Sequence, residues 1–321
     1  GPCPKHPEWK LSVLSDAVLG RSHRSKKALN RINQAITLIR ETLKIPSNYL
    51  IGIVPASDTG AIEMLLWNLL GSKPVDVLAW ESFGNDWVKD IIDQLKVANT
   101  RVLKAEYGDI INLESVNFYN DVVFTWNGTT SGVCVPNANW IKDDREGLTL
   151  CDATSAVYSM KLPWSKLDAT TFSWQKVLGG EAQHGVIILS PRVIQRLESY
   201  QPVRPIPKIF QLLSKSKVNE KLFLGSTINT PSMLCVEDVI SSLKWVKNIG
   251  GLEKTIEISR MNLEIVEKKL ENSSWLEFLA SQKEIRSCTS ICLKVKSSVL
   301  QLIGADRLKN NLSNLLEYFE K

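Results

Sequence analysis

The chain has 321 residues, 44% of them hydrophobic and 23% charged, with 39 basic against 34 acidic side chains and a formal net charge of +5. That balance excludes a disordered chain, and the length predicts about two domains. No apolar run reaches the ~18 residues of a membrane span, and a mild, scattered positive charge selects neither anionic small substrates nor nucleic acid.

The opening GPCPKHPEWK has no methionine and no secretory signal, so the natural start is expected upstream. Residues 1–19 are Pro-rich and read as extended. Over 24–43, Ala28, Ile32, Ala35, Ile36, Ile39 and Leu43 recur at helical spacing, and Pro46 ends that helix. YLIGIVP (49–55) reads as a strand, SDTG (57–60) as a polar turn, and Ile62, Leu65, Leu66, Leu69 and Leu70 as the apolar face of the next helix. Further strands are predicted at 75–81, 100–106, 121–126, 147–153, 168–174 and 185–190, with a helix over 86–95. Strands separated by helices, several of them apolar throughout, predict an α/β fold with a mostly parallel seven-stranded sheet buried on both faces.

Beyond 190 the pattern changes. A short helix over 192–200 precedes the proline-broken loop QPVRPIPK, and an amphipathic helix develops within 228–251, ending at paired glycines. Helix continues over 252–280, an alternating strand over 285–296, and a closing helix over LKNNLSNLLEYFEK. The simplest organisation is a large α/β domain over 20–235, with 1–19 and 236–321 forming a smaller α+β domain. The six cysteines form no CxxC pair, and five of them lie in apolar or strand-like surroundings. They read as reduced thiols of a cytoplasmic protein. His6, His23 and His184 are not spaced as a metal pair, so no metal site is expected.

Chemistry concentrates at the predicted strand ends. In TFSWQKVLGGE (171–181), Lys176 stands between a strand and Gly179-Gly180. Alone it reads as a surface-loop lysine. Asp152 ends the preceding strand and alone reads as a turn or N-cap aspartate. Together, on neighbouring strand ends, they suggest a pyridoxal phosphate (PLP) site. Such a site needs a lysine for the cofactor's aldehyde and a carboxylate for its ring nitrogen. Ser57, Asp58, Thr59 and Gly60 form a strand-to-helix turn suited to phosphate through its free amides. Because the Asp58 carboxylate is awkward beside phosphate, backbone amides are expected to make the contact. Among Trp80, Phe83 and Trp87, Phe83 is chosen to cover the ring face, with core packing the alternative for each. The Thr129 hydroxyl can reach the ring oxygen or the phosphate. Each signal is weak alone. Their order along the chain is much more specific: phosphate turn, aromatic, hydroxyl, carboxylate, lysine.

With these residues in hand, the chain resembles the phosphoserine aminotransferase family, in the class V (fold type I) group of PLP enzymes. The resemblance rests on GRSHRSK (20–26), IGIVPASDTGAIEMLLWNLLG (51–71), LAWESFG (78–84), VVFTWNGTTSGV (122–133), LCDATSA (150–156), FSWQKVLGGE (172–181), HGVIILSPR (184–192) and INTPSMLCVED (228–238), and runs to about 295. It implies a homodimer with shared active sites. It also implies reversible amino transfer between glutamate and 3-phosphohydroxypyruvate, giving O-phosphoserine and 2-oxoglutarate, a step of serine biosynthesis. By position, Lys176 holds the cofactor, Asp152 pairs with the ring nitrogen, and Phe83 stacks on the ring. Thr129 and Thr154 match cofactor-binding hydroxyls. Ser57, Asp58, Thr59 and Gln175 match phosphate-side positions. Asn229 and Thr230 match residues reaching the neighbouring subunit's cofactor, and His23 and Arg24 match an element near the substrate phosphate. Without the resemblance, His23 and Arg24 read as a solvated helix start.

Two departures stand out. Thr59 occupies the place of an arginine in the best-known branch. Beyond Val295 the segment bearing the family's carboxylate-gripping arginine is shortened, which leads us to expect that a mobile loop is left out of this sequence. Arg307, the arginine remaining there, reads as a helix-start residue. Rival readings are a serine–glyoxylate-type aminotransferase, a cysteine desulfurase, and a basic RNA binder. The desulfurase would need a cysteine in an exposed polar loop. The RNA binder would need clustered lysines with exposed aromatics. Neither pattern is present, so the partners expected are small molecules and a second copy of the chain, without nucleic acid or membrane.

Overall fold

The structure is a computed structural model that describes residues 3–320. Helix α1 (Lys26–Leu43) starts where the Ser25 hydroxyl accepts a hydrogen bond from the Ala28 amide, and ends at Lys44 in the left-handed conformation. Its buried face carries Ala28, Ile32, Ala35, Ile36, Ile39 and Leu43, the residues of the predicted stripe. The chain then lays down β1 (Leu50–Pro55), α2 (Ser57–Leu69), β2 (Val75–Ala79), α3 (Ser82–Lys89), β3 (Thr100–Lys104) and β4 (Asp121–Thr125). A two-residue hairpin, β5 (Asn127–Gly128) with β6 (Val133–Cys134), precedes β7 (Thr149–Asp152), β8 (Ala169–Ser173), β9 (His184–Leu189) and α4 (Pro191–Ser199).

Seven of these strands form one sheet in the order β1-β9-β8-β7-β4-β2-β3. Strand β9 runs antiparallel to β1 and β8, and every other pair is parallel. Except for β9, all strands therefore point their carboxyl ends toward the same edge. Alternate side chains enter two separate cores. Ile51, Ile53, Leu78, Val122 and Phe124 pack on the side of α1, while Val54, Val77, Ala79 and Val123 pack on the side of α2 and α4. Burial on both faces is why these strands read as continuous apolar runs.

The rest of the chain holds a small hairpin, β10 (Leu213–Ser214) with β11 (Lys217–Val218), then α5 (Met233–Asn248) and α6 (Gly251–Glu271). Strand β12 (Leu276–Phe278) pairs antiparallel with β13 (Leu293–Val295), and α7 (Ser297–Ile303) and α8 (Ala305–Glu320) follow. The N-terminal segment, expected to be extended, is instead irregular, with a 3-10 turn at Leu11–Leu14 and tight turns on either side, such as the Trp9 amide donating to the His6 carbonyl. Lys5 and Trp9 both bind Asp238 of α5, which ties the segment down. Among the described residues, no helix is long and apolar enough to cross a membrane.

Three further predicted elements differ. The strand over 285–296 reduces to β13. The Ser287 hydroxyl accepts hydrogen bonds from the Thr289 and Ser290 amides, so a local turn takes the backbone away from the ladder. The helix over 252–280 stops at Glu271, and the Ser273 hydroxyl accepts from the Leu276 amide to turn the chain into β12. The helix expected over 86–95 begins earlier, at Ser82, because the Glu81 side chain caps it by accepting from the Gly84 amide. Its last turn, Asp90–Gln94, widens to π geometry. Arg307 lies exposed in the first turn of α8.

Candidate active site

The strands that share a direction bring their carboxyl ends together, and one pocket forms there. It is lined by Ser57, Asp58 and Thr59 after β1, Glu81, Phe83 and Trp87 after β2, and Thr125, Asn127 and Thr129 around the end of β4. Asp152, Thr154 and Ser155 after β7, and Gln175 and Lys176 after β8, complete it. A crevice outside the carboxyl ends of an open α/β sheet is where such folds bind ligands.

The β1–α2 turn is held in an unusual conformation. Ala56 and Ser57 are both left-handed, with φ of 66° and 54°. That arrangement costs about 1–2 kcal/mol per non-glycine residue. Its effect is to aim the first turn of α2 into the pocket. The amides of Asp58 and Thr59 lie in that turn with no carbonyl one turn behind them, and the helix dipole adds partial positive charge. Gly60 makes the turn possible, since a Cβ there would sit 2.4 Å from the Pro55 carbonyl oxygen.

Lys176 is half-buried in the tight turn after β8, and among the described residues no carboxylate pairs with its ammonium. The turn is fixed on both sides. The Gly179 amide donates to the Lys176 carbonyl (2.8 Å), the Gly180 amide to the Trp174 carbonyl (3.0 Å), and the Cys3 amide to the Gln175 carbonyl (2.8 Å). Gly179 has φ +64°, and a Cβ on it would strike the Pro4 carbonyl oxygen at 2.1 Å.

Asp152 is buried and accepts from two donors, the Thr154 amide to Oδ1 (3.0 Å) and the Trp87 indole to Oδ2 (3.3 Å). Asp58 is equally buried, but its carboxyl turns inward, beside Asp152, Thr154 and Thr171. Neither oxygen makes a hydrogen bond of ordinary geometry, and the Thr171 and Thr154 hydroxyls beside them favour the charged form without outweighing burial. Burial first, and then the neighbouring Asp152, push the Asp58 carboxyl well above the usual carboxylate range. Burial also raises Glu81, whose oxygens accept from the Gly84 amide and the Thr130 hydroxyl.

The hydroxyl of Thr129 bonds to Ser155 (2.8 Å), so its first partner is a neighbouring side chain. Asn127 donates to Ser155 (2.8 Å) and to Thr289 (3.3 Å), and the Thr289 hydroxyl donates to the Ser155 carbonyl (2.7 Å), tying the segment before β13 to the pocket wall. Asn127 Oδ1, Thr125 Oγ1, Thr154 Oγ1 and both Asp58 oxygens are buried without partners. Buried polar atoms are almost always satisfied, so this cluster has the character of a site completed by a polar ligand. Phe83, by contrast, is 41% exposed at the pocket wall, an uncovered aromatic face. Trp80 is fully buried in the core, and Trp87 serves the Asp152 carboxylate.

The pocket thus gathers Ser57, Asp58, Thr59, Phe83, Thr129, Asp152, Thr154, Gln175 and Lys176 of the residues read from sequence. His23, Arg24, Asn229 and Thr230 are not among its lining residues. His23 and Arg24 precede α1, and Asn229 and Thr230 are exposed ahead of α5. Glu81, Trp87, Thr125, Asn127 and Ser155 line the pocket beyond the residues chosen from sequence. Glu81 and Asn127 follow strand ends, and Trp87 lies one helical turn beyond Phe83, so the strand-end rule applied to every strand would have found most of them.

A phosphoserine aminotransferase of Methanosarcina mazei is 58% identical over 298 residues, covering 93% of this chain and 80% of that protein. Among solved structures, a phosphoserine aminotransferase of Cytophaga hutchinsonii superposes with TM-score 0.77 at 23% identity, covering 88% of this chain and 80% of that one. A PLP-bound phosphoserine aminotransferase of Trichomonas vaginalis superposes with TM-score 0.67 at 18% identity, covering 84% of this chain and 72% of that one. The model of the family described as Aminotransferase class-V matches residues 12–303, and this chain belongs to that family.

Proposed function

We propose that the chain is a PLP-dependent transaminase that moves an amino group reversibly between glutamate and 3-phosphohydroxypyruvate, giving O-phosphoserine and 2-oxoglutarate. The observation that carries this reading is the 58% identity with the Methanosarcina mazei phosphoserine aminotransferase across 93% of the chain. The pocket supports it, because its unpartnered polar atoms, its free lysine and its uncovered aromatic match what PLP requires.

When bound, PLP supplies an electron sink for the carbanion at substrate Cα. Lys176 is the residue to hold the cofactor's aldehyde covalently. Freed from that link, the same Nζ would act as general base and then general acid, taking the proton from substrate Cα and giving one back. The carboxylate of Asp152, fixed by the Thr154 amide and the Trp87 indole, keeps a proton on the ring nitrogen. The free amides of α2, with Ser57, Thr59 and Gln175, receive the phosphate, and Phe83 covers the ring. Thr129, Thr154 and the unpartnered oxygen of Asn127 line the remaining wall. We assign His23 and Arg24 to the substrate phosphate and Asn229 and Thr230 to the cofactor of a second copy in a homodimer. The exposure of Arg24, Asn229 and Thr230, with His23 half-buried beside Arg24 in sequence, supports a role outside the chain's own pocket. The division into a large domain over 20–235 and a smaller one from 1–19 and 236–321, and a cytoplasmic location, belong to the same reading. Six free thiols support a reducing compartment.

The test is a panel of keto acids with glutamate as donor. 3-Phosphohydroxypyruvate should exceed glyoxylate and oxaloacetate in kcat/KM by about 10²-fold or more, since a site built around a charged group rejects ligands lacking it. Equal or better turnover with glyoxylate would replace this reading with a serine–glyoxylate type.

A further inference from the structure

Three carboxyls line the pocket, those of Asp58, Glu81 and Asp152, where the reaction needs one. Asp152, at the end of β7, has two hydrogen-bond donors on its oxygens, as a carboxylate should. Asp58, in the first turn of α2, is 7% exposed and makes no hydrogen bond of ordinary geometry through either oxygen, with only the Thr171 and Thr154 hydroxyls as donors beside it. An ionised Asp58 would be a buried charge against a second anion, supported only by two neighbouring hydroxyls, a costly arrangement for a carboxylate. A neutral Asp58 has its own O–H to give, and the acceptor beside it is Asp152.

The groups around the pair leave few other choices. From β8 come the Thr171 hydroxyl and, past its end, Lys176; from β7, the Thr154 hydroxyl and the buried Cys151 thiol; from the end of β2, the Glu81 carboxyl; from α3, the Trp87 indole. Glu81 is occupied in capping α3 and in accepting from Thr130. No described ion pair brings a cation onto Asp58.

We propose that Asp58 is a positioning residue, protonated in the working enzyme, whose O–H donates to the carboxylate of Asp152. The pair would then carry one negative charge, available to the ring nitrogen through Asp152, and Asp58 would add none to the turn before α2. This resolves the acidic residue in SDTG: its carboxyl faces away from the phosphate side and is neutral. The inference rests on the PLP reading for the role of Asp152, but not for the existence of the shared proton.

Two measurements separate those parts. Infrared difference spectra of the apoprotein at pH 8, wild type minus Asp58→Asn, should show a protonated-carboxyl stretch that shifts in D₂O. Absence of that band overturns the shared proton whatever the cofactor does. In the PLP-loaded protein, Asp58→Asn keeps a donor toward Asp152 and Asp58→Ala does not. Turnover of the asparagine variant should exceed that of the alanine variant by about tenfold, with KM for glutamate little separated between them. The pH titration of cofactor absorbance should shift in Asp58→Ala and not in Asp58→Asn. If the two variants coincide in turnover and in that titration, Asp58 does not position Asp152. If borohydride trapping finds the cofactor away from Lys176 while the band persists, the functional reading fails and the carboxyl pair stands.

Discussion

Gly60→Ala tests the geometry of the phosphate-facing turn with a single methyl group. The added Cβ would lie 2.4 Å from the Pro55 carbonyl oxygen and 2.8 Å from the Ala56 Cβ, where ordinary contacts begin at 3.4 Å. The first turn of α2 must therefore withdraw from β1 by about 1 Å, because the obstructing atoms are backbone or rigidly attached to it. Overpacking of this kind costs about 1–3 kcal/mol, and the better helix propensity of alanine returns about 1 kcal/mol. The fold should survive, with thermal unfolding lowered by no more than about 8 °C at about 2–4 °C per kcal/mol. The site should not fare as well. A displacement near 1 Å takes the free amides off their ligand and is expected to weaken PLP binding by about 10–100-fold, with a comparable loss in kcat/KM. Absorbance titration of the apoprotein with PLP, alongside chemical denaturation, separates the two effects. A Gly60→Ala variant that binds PLP with wild-type affinity would refute the assignment of the α2 terminus to the phosphate.

Two further predictions concern the frame. Arg31 of α1 grips the fully buried Glu237 of α5 with three hydrogen bonds, so Arg31→Ala strands a buried carboxylate and should cost about 3 kcal/mol in denaturant unfolding. A loss below about 0.5 kcal/mol would show that the pair is screened in solution. His184 accepts from the Ser232 amide through Nε2, and burial lowers its pKa from 6.5 to about 4. Its contribution is complete above pH 6.5 and is lost as pH falls toward 4, because the unfolded chain takes up the proton first. The wild type should therefore lose about 3 kcal/mol more than His184→Gln across that interval, and parallel pH–stability curves would contradict the buried neutral ring.

Much of this site was legible because the sheet imposes it. Asp152 and Lys176 read as ends of neighbouring strands, and β7 and β8 are neighbours in the sheet. The strands themselves were legible because burial on both faces leaves apolar runs. What was not legible has physical causes. The cap of α3 is a glutamate, which ordinary N-cap preferences do not select, so Glu81 was overlooked and the helix start misplaced. The strand over 285–296 alternates correctly in polarity, yet Ser287 captures the amides that a ladder would need. The inward turn of Asp58 depends on two consecutive left-handed residues, Ala56 and Ser57, that no propensity favours. The network that joins the Thr129 hydroxyl to Ser155, Asn127 and Thr289 at the pocket wall is a long-range arrangement without a local signature.

The claim on which the rest depends is that the Lys176 amine carries the cofactor. Borohydride reduction of the PLP-loaded protein, followed by proteolysis and peptide mapping, addresses it directly. The account predicts one modified peptide, spanning the turn after β8, with the label on Lys176. A label on another lysine, or none, would contradict it.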